Sequence, residues 1–194
     1  MGAGDRDRWN DKWAETGRGT GHGSALVELV APWLPDEGRL LDVAGGGSHD
    51  SLLFARRGLG VAVADVSDVG LIQARQRALA EDLIIEAIEI DLDEQALPAG
   101  PWDVITVANY LQRDLFVQFA ERLAPGGVLA VVIATETNLE RHDRPGAPFL
   151  LAANELPGLV AGLEILHHSE AWRSNDRHEA HLVARRTAST EPDR

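Results

Sequence analysis

The chain has 194 residues, 44% of them hydrophobic, and a formal net charge of −13. That length suffices for one well-buried domain and is short for two, while the negative balance disfavours nucleic acid and anionic membrane surfaces, which select lysine and arginine. Without cysteine there is no disulfide, thiolate nucleophile or thiolate metal ligand, and with no apolar signal core and no bilayer-length run, a cytoplasmic protein with a small-molecule partner is expected, as a monomer or homodimer.

In chain order, Asp5 to Thr16 is expected to form a short polar helix with Trp9 and Trp13 on one face, followed by the glycine-rich Gly17 to Gly23. Residues 1–23 read as a lead segment that closes over a ligand as a lid, or, more plainly, as a helix whose two indoles dock it on the body. Ser24 can cap the next helix, in which Leu26, Leu29, Val30 and Trp33 recur at helical spacing until Pro35. The domain proper, 24–186, then alternates: strand 40–44, helix 51–57, strand 61–64, helix 68–81, strand 84–90, strand 102–108, helix 114–123 and strand 127–134. This alternation predicts a doubly wound α/β fold, a parallel sheet with helices on both faces. The polar stretch Thr137 to Pro148 is too long for a minimal turn and is a candidate substrate wall. Asn154 can start a short helix, 163–171 and 178–186 read as two more strands, and 187–194 as a disordered tail.

Leu40 to Ala44 runs into Gly45-Gly46-Gly47-Ser48, and the next strand delivers Asp65 to its end about 20 residues after the turn, where a carboxylate can hold a ribose. A dinucleotide fingerprint requires a third glycine where this chain has Asp50, and a P-loop requires a lysine where the only lysine is Lys12. Asp42, Asp50 and Asp65 around the turn suit an uncharged or cationic adenosine derivative better than a polyphosphate. S-adenosylmethionine is such a ligand.

Leu41 to Ser48, Leu53 to Gly58, Val63 to Ser67, Asp91-Leu92, Trp102 to Ile105, Asn109 to Arg113 and Leu123 to Gly127 together resemble the consecutive motifs of class I S-adenosylmethionine-dependent methyltransferases, nearest to the small tellurite-resistance-like branch, over roughly Trp9 to Arg186. The chain departs from that pattern at Ser48, where the family's loop usually ends in glycine. The resemblance implies a Rossmann-like doubly wound sheet, mostly parallel with a C-terminal antiparallel strand, and S-adenosylmethionine as cofactor. It places Asp42, Ala44 and the Gly45, Gly46, Gly47 and Ser48 backbone beside the methionine part, Asp65 and the adjoining Val66 at the ribose, Asp91 and Leu92 at the adenine, and Asn109 and Tyr110 on the sulfonium side.

Methyl transfer is an in-line displacement that needs no protein nucleophile. Tyr110, the only tyrosine, can orient an acceptor or simply pack at a rim; Arg113 can bind an anionic substrate group or pair with Asp114. His142 is a candidate general base, weighed against an exposed loop histidine. His178 and His181 are three apart and point to opposite faces of a strand, so no metal site is expected; His167 and His168 read as one buried and one exposed. The acceptor stays open among a chalcogen oxyanion, a thiol, an amine and a carboxylate. Ser48 and the lack of an obvious base motivate a second reading, a noncatalytic S-adenosylmethionine-binding protein, and the missing third glycine disfavours a third, a nicotinamide dehydrogenase.

Overall fold

A computed structural model describes residues 3–16, 25–47 and 49–187. The expected hinge at Gly17 to Gly23, the Ser24 cap, Ser48 and the tail beyond Thr187 lie outside the described residues.

Alternating apolar residues build the sheet. Strands β1 (Arg39–Val43), β2 (Gly60–Asp65), β3 (Ile85–Glu89), β4 (Trp102–Ala108) and β5 (Leu123–Ala134) pair in parallel, whereas β7 (His178–Arg185) runs antiparallel between β5 and β6 (Glu164–Trp172). The order is β3-β2-β1-β4-β5-β7-β6, so the sheet reverses its direction of growth between β1 and β4. The expected mostly parallel sheet with a reversed C-terminal strand is what forms.

Successive side chains on each strand feed opposite faces. Leu40, Val61, Val63, Val104 and Val132 pack under α2 (Ala25–Val30), α3 (Asp50–Ala55) and α4 (Asp68–Leu79). Leu41, Ala62, Ile105, Val107 and Val131 pack under α5 (Phe116–Arg122) and the four-residue α6 (Leu156–Leu159), where Phe116 and Phe119 meet edge to face at 5.3 Å. Ser67 caps α4 by accepting from the Gly70 amide at 3.0 Å.

Several expected boundaries move, the strand expected over 127–134 beginning already at Leu123. The helix predicted over 114–123 opens as a 3-10 turn at Arg113–Leu115, and the 137–148 stretch contains 3-10 turns at Glu136–Glu140 and Ala147–Phe149. Buried Asn138 anchors that stretch, accepting from the His178 amide at 3.2 Å while its own amide donates to the carbonyls of Thr135 and His178. Helix α1 (Ala3–Thr16) contributes nothing to either core and lies against α4.

Candidate functional site

Parallel strands end together, and where the sheet reverses, their loops part and leave a crevice. At the ends of β1, β2 and β4 this crevice is a cavity of about 1050 Å³, walled by Ala44, Gly45, Gly47, Asp65, Val66, Leu92, Asn109 and Tyr110 among others. The 137–148 stretch supplies Asp143 to Gly146, as expected of a wall, and Phe149 follows it.

The three glycines of the turn answer to two neighbours, Asp42 and Trp13. A Cβ on Gly45 would stand 2.5 Å from the Asp42 carboxylate and 2.9 Å from Val63, so this residue is small because Asp42 is buried beneath it. Gly46 alone takes a left-handed φ, +50°, and its Cβ would meet the Trp13 ring at 2.6 Å. A Cβ on Gly47, whose φ is ordinary, would meet the same ring at 3.1 Å. Thus Trp13 of α1 covers the glycine turn. Asn10 holds α1 there by donating to Asp68 at 2.7 Å and accepting from Ser67 Oγ at 2.6 Å, and Gln73 of α4 donates to the Trp13 carbonyl at 2.8 Å. Arg77, one turn further on, donates to the Gly47 carbonyl.

The floor is acidic. Asp42 is 2% exposed, accepting from Ser51 Oγ at 2.7 Å and from Thr106 Oγ1 at 3.1 Å; burial, opposed by those bonds, pushes its pKa up to about 7. Asp65 is pushed to about 6, again by burial, against backbone hydrogen bonds from Ser67, Gly46 and Val66. Asp65 therefore ties the glycine turn to the end of β2 besides facing the cavity. Asn109 ends β4 with φ +56°, a conformation asparagine tolerates, and its Oδ1 accepts from Arg177 at 2.6 Å.

No protein-family model matches the chain, and no curated protein matches it. Solved structures do. TehB from Haemophilus influenzae superposes with a TM-score of 0.72 at 19% identity, over 92% of this chain and 67% of its own. The magnesium protoporphyrin IX methyltransferase of Synechocystis, solved with bound S-adenosylhomocysteine, reaches 0.74 at 19% identity over 94% and 98%. The fold is that of the class I S-adenosylmethionine-dependent methyltransferases. The same fold also supports other chemistry: the cyclase SpnF matches at 0.70 and 20% identity over 85% and 81%.

On this methyltransferase fold, the residues singled out in the sequence divide. Asp42, Ala44, Gly45, Gly47, Asp65, Val66, Leu92, Asn109 and Tyr110 all line the cavity. Gly46 sits behind Trp13, and Asp91 lies beside the wall formed by Ile90 and Leu92, its Oδ1 accepting from the Asp93 amide at 3.0 Å.

Arg113 and His142 are not brought to the cavity. Arg113 is held bidentately by Glu155 and donates to the Leu150 carbonyl at 3.1 Å, so its partner is Glu155 rather than Asp114. His142 Nε2 lies 2.7 Å from the Asp176 carbonyl, with the ring against Trp172. On β7, His181 pairs with Glu179 at 3.0 Å and His178 Nδ1 with Thr135 at 2.7 Å, while His167 and His168 are both half-buried instead of one in and one out.

Sequence reasoning missed Arg8, Lys12, Arg177 and Phe149, which also line the cavity. Arg8 and Lys12 carried a usable signal, since four-residue spacing puts them on one helix face beside the tryptophans. Arg177 carried none.

Proposed function

We propose that the chain is an S-adenosylmethionine-dependent methyltransferase acting on a small acceptor. What carries this reading is the convergence of Asp65, the Gly45–Gly47 turn and the end of β4 on one crevice with an acidic floor. The donor set suits that cofactor: Asp42 and the turn for the methionine ammonium, Asp65 beside Val66 for the ribose hydroxyls, Leu92 with Ile90 and neighbouring Asp91 for the adenine, Asn109 and Tyr110 for the sulfonium side. The S-adenosylhomocysteine bound to the Synechocystis enzyme supports the assignment. When bound, S-adenosylmethionine supplies an electrophilic methyl carbon that an acceptor atom takes by in-line displacement, with S-adenosylhomocysteine leaving.

The chain's own residues position and shield. Trp9, Trp13 and Phe149 line the mouth and keep water from the reacting centre. Tyr110 donates its hydroxyl to Gln112 Oε1, which is held in turn by donating to the Leu92 carbonyl at 3.0 Å. Burial raises the Tyr110 pKa above its ordinary value, so the hydroxyl stays neutral and serves to orient an acceptor, not to take its proton.

Calorimetric titration with S-adenosylmethionine, S-adenosylhomocysteine and NAD, on protein checked for co-purified nucleoside, tests the reading. Binding of the first two without NAD is expected, followed by S-adenosylhomocysteine release with an accepted substrate. Binding of NAD alone overturns the cofactor assignment. Tight binding without release across a broad acceptor panel would instead favour the noncatalytic reading.

A further inference from the structure

Glu179 is buried beside the cavity without lining it. It stands on β7 opposite Ala134, a cavity residue at the end of β5, and is 3% exposed. A carboxylate that deep is costly unless donors and cations surround it. His181 Nε2 lies 3.0 Å from Glu179 Oε2, the Asn175 amide donates to Oε1 at 3.1 Å, and Arg177 Nε faces the same oxygen at 3.9 Å. Burial pushes the Glu179 pKa up, but the hydrogen bonds of His181 and Asn175 and the charge of Arg177 outweigh it and hold the pKa below its ordinary value, so the group stays ionised.

Apolar side chains often replace buried ion pairs at no loss of stability, so the use of this carboxylate lies in what it holds. Arg177 comes from the turn between β6 and β7, and its planar guanidinium reaches in two directions. Nε points to Glu179, and Nη1 donates to Asn109 Oδ1 at 2.6 Å. Asn109 ends β4, which is separated from β7 by β5, so the guanidinium bridges across the end of a strand. The Asn109 amide donates to the Val132 carbonyl of β5 at 2.9 Å, and its φ of +56° lies in a region that costs energy to any residue with a Cβ. Its backbone is thus fixed by β5 and its side chain by Arg177. Asn175 braces the turn itself, accepting from the Arg177 amide at 3.0 Å. Contacts therefore run without a break from His181 through Glu179 and Arg177 to Asn109, and the last two line the cavity.

We propose that Glu179 is a positioning residue of the cofactor site, holding the Arg177 guanidinium against Asn109 and so fixing the end of β4 on the sulfonium side. The proposal rests on the cofactor reading above and adds a residue that no part of that reading uses.

The test is a double-mutant cycle read as S-adenosylhomocysteine affinity by calorimetry, at a temperature where every variant is folded. Glu179→Gln, which keeps the shape and removes the charge, and Arg177→Gln should each weaken binding by about fivefold, within the range for residues of one hydrogen-bond network. The double variant should lose about as much as either single one, whereas independent effects would multiply to about twenty-five-fold. In an Asn109→Gly background, where glycine keeps the left-handed turn but offers no acceptor, Arg177→Gln should have no further effect.

A lower melting temperature with unchanged affinity in Glu179→Gln would make the carboxylate a part of the sheet alone and overturn the proposal. Multiplying losses in the double variant would do the same. An Arg177→Gln loss undiminished by Asn109→Gly would give Arg177 a direct contact with the ligand, against the relay. If Glu179→Gln does not fold, Glu179→Asp, which keeps the charge but draws it back from Arg177, takes its place; parental affinity there, or loss of the fold in both, overturns the proposal. Failure of the unaltered protein to bind S-adenosylhomocysteine would instead strike the cofactor reading first, and the positioning role with it.

Discussion

Asp42 is buried between two hydroxyl donors and titrates near 7, so in the folded chain it keeps a proton that the unfolded chain, with an ordinary carboxyl pKa near 4, has already lost. The folded state then binds more protons over that window, and this group's stabilisation is complete below about pH 4 and lost as pH rises through about 7. Asp65, near 6, acts with the same sign. Denaturant unfolding at pH 5 and pH 8 should therefore show the parent losing stability, with the Asp42 share on the order of 2 kcal/mol, and Asp42→Asn, which imitates the protonated acid, losing less. For Asp65→Ala, calorimetry should find S-adenosylmethionine binding weaker by about 1–3 kcal/mol, the scale for hydrogen bonds to a charged acceptor. Unchanged affinity would refute the ribose assignment. Because Asp65 also accepts the Gly46 and Ser67 amides, part of any loss will come from the glycine turn.

Helix α1 is the element whose role the two tryptophans left open. It touches neither core, yet Trp13 covers Gly46 and Gly47 while Arg8, Trp9 and Lys12 line the cavity, so docking the helix and covering the glycine turn are one arrangement. Deleting residues 1–16 should shift the melting temperature by only a few degrees, about what 1 kcal/mol produces in a chain this long, and should cost at least about tenfold in cofactor affinity. Cofactor affinity that survives the deletion would count against a covering role. The aromatic spacing was legible from sequence, but its target was not: Gly70, whose added Cβ would stand 2.9 Å from Trp13, belongs to a helix more than fifty residues away. The 137–148 wall was likewise legible as polar and long, while the choice of which of its residues face inward follows from Asn138 anchoring it to β7.

At the scale of the molecule, the reversal of strand order between β1 and β4 creates the crevice, and everything bound there is coupled to the stability of the sheet. A ligand that binds only the folded chain stabilises it by mass action, about 2.7 kcal/mol at a hundredfold excess over its Kd. For a chain of 194 residues, S-adenosylhomocysteine at that excess should raise the melting temperature by roughly 5–10 °C, measured by calorimetric scanning. NAD at the same concentration should leave it unmoved. Among the described residues no helix is long and apolar enough to cross a membrane.

The sequence by itself determined the alternation of strands and helices, the glycine turn after β1 and the acid that ends β2, because each is written in contacts between residues close along the chain. Tertiary structure alone decided that Gly45 answers to Asp42 and Gly47 to Trp13, that Arg177 reaches the cavity, and that His142 and Arg113 are held outside it by Asp176 and Glu155. The physical reason is the order of strands in the sheet. It sets which distant loops meet at the crevice, and local periodicity carries no record of that meeting.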